Sequence, residues 1–87
     1  MNTLMINHIY KFTNSQIYFN DNDDRLTITI PFDQISMHRA MIIFSDIEKV
    51  EITDDSTGKS TIIEKAYTCM GISVQDDNII INCVQTK

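Results

Sequence analysis

Eighty-seven residues with 43% apolar and 22% charged side chains are enough for one globular domain, which at this size buries roughly 60–65% of its unfolded surface and has no second core to build. The formal charge of −5 and the scattered basic residues Lys11, Arg25, Arg39, Lys49, Lys59, Lys65 and Lys87 argue against direct nucleic-acid or membrane-surface binding, both of which need clustered cations. Isoleucine dominates the apolar set, whereas leucine occurs only at Leu4 and Leu26, a β-branched bias that favours strands.

The opening segment Met1-Asn2-Thr3-Leu4-Met5 has no basic region and no long apolar run, so neither a signal peptide nor a membrane span is expected. That reading places the protein in the cytoplasm with both cysteines reduced. From His8 to Ile30 the chain reads as a three-stranded antiparallel meander. Pairing Phe12 with Ile17 sets Tyr10 opposite Phe19, and pairing Phe19 with Leu26 across Asp21-Asn22-Asp23-Asp24 sets Ile17 opposite Ile28. In those registers Tyr10, Phe12, Ile17, Phe19, Leu26, Ile28 and Ile30 share one face. Tyr18 takes the polar face beside Thr27 and Thr29.

Pro31 ends the third strand because it lacks a ladder donor. Residues 33–46 are read as a helix capped by Asp33, with Ala40, Ile43, Phe44 and Ile47 at helical spacing. The apolar run 40–44 would also suit a buried strand. Residues 48–53 then alternate with Val50 and Ile52 inward, and Gly58 supplies positive φ in the turn that follows. Residues 60–75 read as one long strand, with Gly71 as the site of a bulge. A turn at Asp76-Asp77-Asn78 leads into the last strand, residues 79–84. The expected fold is therefore β-rich α+β: an antiparallel sheet of about five to six strands with at most one helix.

Motifs for chemistry do not hold up on inspection. Gly58-Lys59-Ser60-Thr61 imitates the end of a phosphate-binding loop, but Thr53 stands where that loop needs its first glycine and a β-rich run follows where it needs a helix. In Asp21-Asn22-Asp23-Asp24 the spacing of a calcium loop fails at Arg25 and Leu26. Cys69 and Cys83 are expected opposite each other on neighbouring strands, but His8 and His38 lack the spacing to complete a zinc site. No nucleophile, base and orienting group form a pattern. Hence no enzyme activity, metal or cofactor is expected.

The carboxylates of the turns carry the functional expectation. If residues 33–46 and 60–75 each cross the domain once, Asp21, Asp23, Asp24, Asp46, Asp76 and Asp77 gather at one end, and Asp33, Asp54 and Asp55 at the other. With Tyr18 as an amphipathic anchor, the first group suits a basic protein partner. The leading expectation is a small acidic inhibitor that occupies the nucleic-acid-binding surface of a nuclease or similar complex, in the general manner of anti-CRISPR and toxin-immunity proteins. The alternative is a structural assembly or virion component, or a homodimer, that associates through sheet edges, because a long strand 60–75 would outlast its hairpin partner.

Overall fold

The computed structural model describes residues 5–86; the reading of Met1–Leu4 and the C-terminal Lys87 lie outside them. A five-stranded sheet has the order β2 (Gln16–Asn20), β3 (Arg25–Pro31), β8 (Asn78–Gln85), β7 (Tyr67–Gln75) and β4 (Asp46–Ile47). All its neighbours are antiparallel. A second sheet has the order β1 (His8–Phe12), β5 (Val50–Asp54) and β6 (Lys59–Ile63), and one helix, α1 (Met37–Phe44), follows β3. The fold is thus β-rich α+β, with a single short helix among the described residues, as expected.

The β2–β3 hairpin has the register read from the sequence, with Ile17 opposite Ile28 and Phe19 opposite Leu26. The first strand does not join it. β1 runs parallel to β5, with Tyr10 opposite Ile52 and Phe12 opposite Asp54. The link between β1 and β2 is a corner, held outside the sheet by long-range bonds. Asn14 sits in the left-handed region at φ 60°, its N–H donates to the Asp54 carboxylate at 2.8 Å, and the Thr13 N–H donates to Gln34 Oε1 at 3.2 Å. Alternation survives this change of partner, because a strand shows the same residues to the core whichever neighbour it takes. Phe12, Leu26, Ile28 and Ile30 are buried, and Tyr10, Ile17 and Phe19 pack against them.

Two boundaries also move. The helix starts later than expected: Ser36 is its N-cap, with Oγ accepting from the Arg39 N–H at 3.1 Å. Asp33 instead lies in a turn closed by the Gln34 N–H on the Pro31 carbonyl at 2.9 Å, so it cannot cap. Ile35, just before the cap, is buried in the same cluster as Ala40, the arrangement of a hydrophobic staple. The long strand expected over 60–75 is two strands in two sheets, β6 and β7, separated by Glu64, Lys65 and Ala66. Ile63 and Tyr67, on either side of that reversal, are both buried, so each strand is anchored where it turns.

The core draws on both sheets and the helix. Its centre is the β3–β8 seam, where Leu26 faces Cys83, Ile28 faces Ile81 and Ile30 faces Ile79, all essentially inaccessible. Each such side chain contributes roughly 1.5–3 kcal/mol of burial. Phe44 and Ala40 press on this seam from α1, and Val50, Ile52 and Ile63 from the second sheet.

Candidate partner-binding surface

The aspartates first serve the backbone. Residues 21–24 form the loop between Asn20 and Arg25, and Asp21, Asn22 and Asp23 all have positive φ, at 51°, 57° and 68°. Successive left-handed residues exclude β-branched side chains and favour Asp, Asn and Gly. The Asp76-Asp77 turn has φ 52° and 63° and joins Gln75 directly to Asn78, the geometry of a two-residue hairpin with both central residues left-handed. Asp54 uses its carboxylate as a hub. It accepts from the Asn14 N–H, from the Ser56 N–H at 3.0 Å, from Ser56 Oγ at 2.7 Å and from Thr57 Oγ1 at 3.2 Å. Those hydrogen bonds, led by the Ser56 hydroxyl, hold it below its ordinary value of 3.8.

The strand directions decide where the charges sit. Arg25 pairs with Val84 and Pro31 with Asn78 along the β3–β8 seam. The loop 21–24 therefore lies at one end, where the Asp24 carbonyl accepts the Gln85 N–H at 2.8 Å. Asp76 and Asp77 lie at the other, where the Asp77 carbonyl accepts the Phe32 N–H at 2.8 Å. Roughly 20 Å of strand separates them. The expected gathering of Asp21, Asp23, Asp24, Asp46, Asp76 and Asp77 is thus corrected. The break at Glu64, Lys65 and Ala66 adds one crossing of the domain, which sends the last turn to the opposite end. Asp46, accepting from Thr68 Oγ1 at 3.1 Å, does stay at the end of loop 21–24, since its partner Thr68 pairs with Val84. It occupies the far edge of the sheet, however, with β3, β8 and β7 between it and β2.

One end accordingly carries Asp21, Asp23, Asp24 and Asp46. Here Asp21 pairs with Arg25 at 3.3 Å, the one ion pair among the described residues. The Tyr67 hydroxyl, on a buried ring, donates to the Asp23 carbonyl at 2.6 Å and fixes the loop to the core. Burial, then the nearby charges of Asp23 and Asp24, push the Tyr67 phenol above its ordinary 10.0. The other end carries Asp33, Asp54, Asp55, Asp76 and Asp77. Asp33, Asp76 and Asp77 line a concavity of about 430 Å³ with Pro31, Asn78 and Phe32, and the Phe32 ring is 56% exposed at its rim. No basic residue lines it. Tyr18 is 65% exposed on the solvent face of β2, opposite Thr27, and belongs to neither end.

Phe32 is the residue that sequence reasoning missed. It continues the phase of Leu26, Ile28 and Ile30, which points inward. The turn at residues 31–34 carries it out of phase, and only Pro31 hinted at that.

Other chemistry is sparse. Cys69 and Cys83 lie directly opposite each other as free thiols, and burial, then the neighbouring Cys69, push the Cys83 thiol up to about 12. The expected pairing arises from a two-residue tip, Asp76-Asp77, together with a bulge between Cys69 and Gly71. His8 stacks on Tyr10 with ring centroids 4.5 Å apart. Among the described residues, no group of three or more His, Cys, Asp or Glu is placed to hold a metal ion, and no helix is long and apolar enough to cross a membrane. No family model, curated protein or solved structure matches this chain.

Proposed function

We propose that this protein is a small acidic binding protein that docks on a basic, nucleic-acid-binding surface of a partner enzyme and blocks it, using the end that carries Asp33, Asp76, Asp77 and Phe32. The observation that carries this reading is the concavity there: three carboxylates line it without a basic neighbour, together with the exposed aromatic ring of Phe32. Carboxylates held on a rigid turn draw a cationic partner and raise its association rate. A buried ring at the centre of the contact supplies the desolvated anchor that charge alone does not. Of the aspartates first expected to bind, Asp76 and Asp77 remain in this surface. Asp21, Asp23, Asp24 and Asp46 lie at the other end, with Asp21 partly neutralised by Arg25.

The test uses asparagine, which keeps left-handed turn geometry while removing charge. The wild-type chain, D33N/D76N/D77N and D21N/D23N/D24N are each immobilised and exposed to bacterial lysate at low and high salt, and captured proteins are quantified by mass spectrometry. The expected outcome is one basic nucleic-acid-handling protein, captured by the wild type and by D21N/D23N/D24N, lost with D33N/D76N/D77N, and weakened by salt. Phe32→Ala should weaken capture without changing the salt dependence. Equal capture by all variants would remove the acidic end from the mechanism.

A further inference from the structure

A second surface lies along the outer edge of β7, the strand that leads into the Asp76-Asp77 turn. β4 covers that strand only at Tyr67 and Thr68, and the Ser45 carbonyl accepts the Cys69 N–H at 3.1 Å. Beyond the bulge, Gly71 to Gln75 has β8 as its only ladder partner among the described residues. The hairpin closes on Gln75 and Asn78, so alternation turns the N–H and C=O groups of Ile72 and Val74 toward the open side.

Natural sheets guard such an edge with charge, proline or a covering element. Here no charged residue and no proline lies between Lys65 and Asp76, and the bulge beside Met70 protects only the upper part. The core is also left open on this side. Val74 shares the inward face with Ile72 and stands opposite fully buried Ile79, yet is 48% exposed. Beside it, Met37, Met41, Met70 and Ile72 line a shallow groove of about 490 Å³ between α1 and β7, with Asp46 as the one charged residue of its lining and with Met41 and Met70 more than half exposed. The other open edge of the five-stranded sheet, β2, instead faces the second sheet across a cleft lined by Ile17, Ile52 and Thr61.

We propose that this edge is a homodimer interface, in which two copies pair their β7 strands antiparallel about a two-fold axis through Ser73. A second copy fits for three reasons. Antiparallel edge pairing is self-complementary and closes with two-fold symmetry. Centred on Ser73, it sets Ile72 opposite the second copy's Val74, so the outward groups of both strands meet in a ladder of about four hydrogen bonds. The same rotation puts both α1 helices on one face of a continuous sheet, where the Met37 and Met41 stripes meet and cover the groove. Asp46 is the one charged residue that lines the groove, and no cation lines it beside that carboxylate, so the apolar side chains and the open ladder, not ion pairing, carry the contact between two chains of −5 each.

Charge then sets a distinguishing sign. The Asp76-Asp77 tip of each copy approaches the Asp46 end of the other, so added salt should tighten the dimer by screening repulsion, whereas it should loosen any complex made through the acidic end. The test is sedimentation velocity of the full chain across micromolar to millimolar concentration at low and high salt. The expected species has twice the 10.0 kDa chain mass and is favoured by salt. Val74→Lys and Met41→Lys should each raise the dissociation constant at least about tenfold, with circular dichroism unchanged, while Tyr18→Lys should leave it unaltered. Met41 is an exposed helix position, so its variant carries the test if Val74→Lys fails to fold. A wild type that stays monomeric throughout overturns the proposal, even if it captures another protein. So does a dimer that resists both lysines, or one that salt dissociates.

Discussion

Asp54 shows how one acidic side chain can be structural while its neighbours stay free for a partner. Its four hydrogen bonds tie the β5–β6 turn to the corner after β1, and they hold its carboxyl below 3.8. A carboxylate depressed in the folded state stabilises above its unfolded value, and that contribution disappears as pH falls through the folded value. Asp54→Asn should therefore lower the melting temperature at neutral pH, and the gap to wild type should narrow steadily below about pH 4. A gap independent of pH would mean that the turn does not depend on the ionised form. Tyr67 and Cys83 carry the opposite sign, since both are raised. Their contributions are complete below the unfolded values and fade as pH rises above them, for Cys83 between about 9 and about 12, leaving neutral stability untouched.

At the scale of elements, the alternation of the sequence identified which residues face inward but left some strand partners undetermined. The Phe19–Leu26 register was legible because the acidic loop supplied a turn between two clean alternating runs. β1 was assigned to the wrong neighbour because period two describes a face, and a face is the same beside β2 or β5. The reversal at Glu64, Lys65 and Ala66 went unseen for a related reason: it has no glycine or proline, and Ala66 fits the alternation on either side. The acidic turns were all found, yet that one missed crossing put the Asp76-Asp77 turn at the opposite end. The helix cap offers a direct check. Ser36→Ala should cost about 1 kcal/mol in a denaturant titration, whereas Asp33→Ala, outside the helix, should cost nothing through capping. A larger loss at Asp33 would restore it as the cap.

The whole molecule rests on one seam. Ile28 and Ile81 face each other in its middle with no exposed surface, and every other element packs outward from there. Ile28→Ala should cost about 2–5 kcal/mol, a large share of the roughly 5–15 kcal/mol available to a domain, measurable as a fall in denaturant midpoint. A loss below about 1 kcal/mol would mean that the two sheets hold together independently of the seam. The parallel pairing of β1 with β5 has a further consequence, in time. β1 must wait for a partner about forty residues downstream, while the β2–β3 hairpin needs only its own loop. Non-local closure is slow because the entropy of the intervening chain is lost before any contact compensates it. During synthesis β1 leaves the ribosome well before its partner β5 and is thus among the last of these strands to lock, and until then Tyr10 and Phe12 are open to any other strand that can offer a ladder.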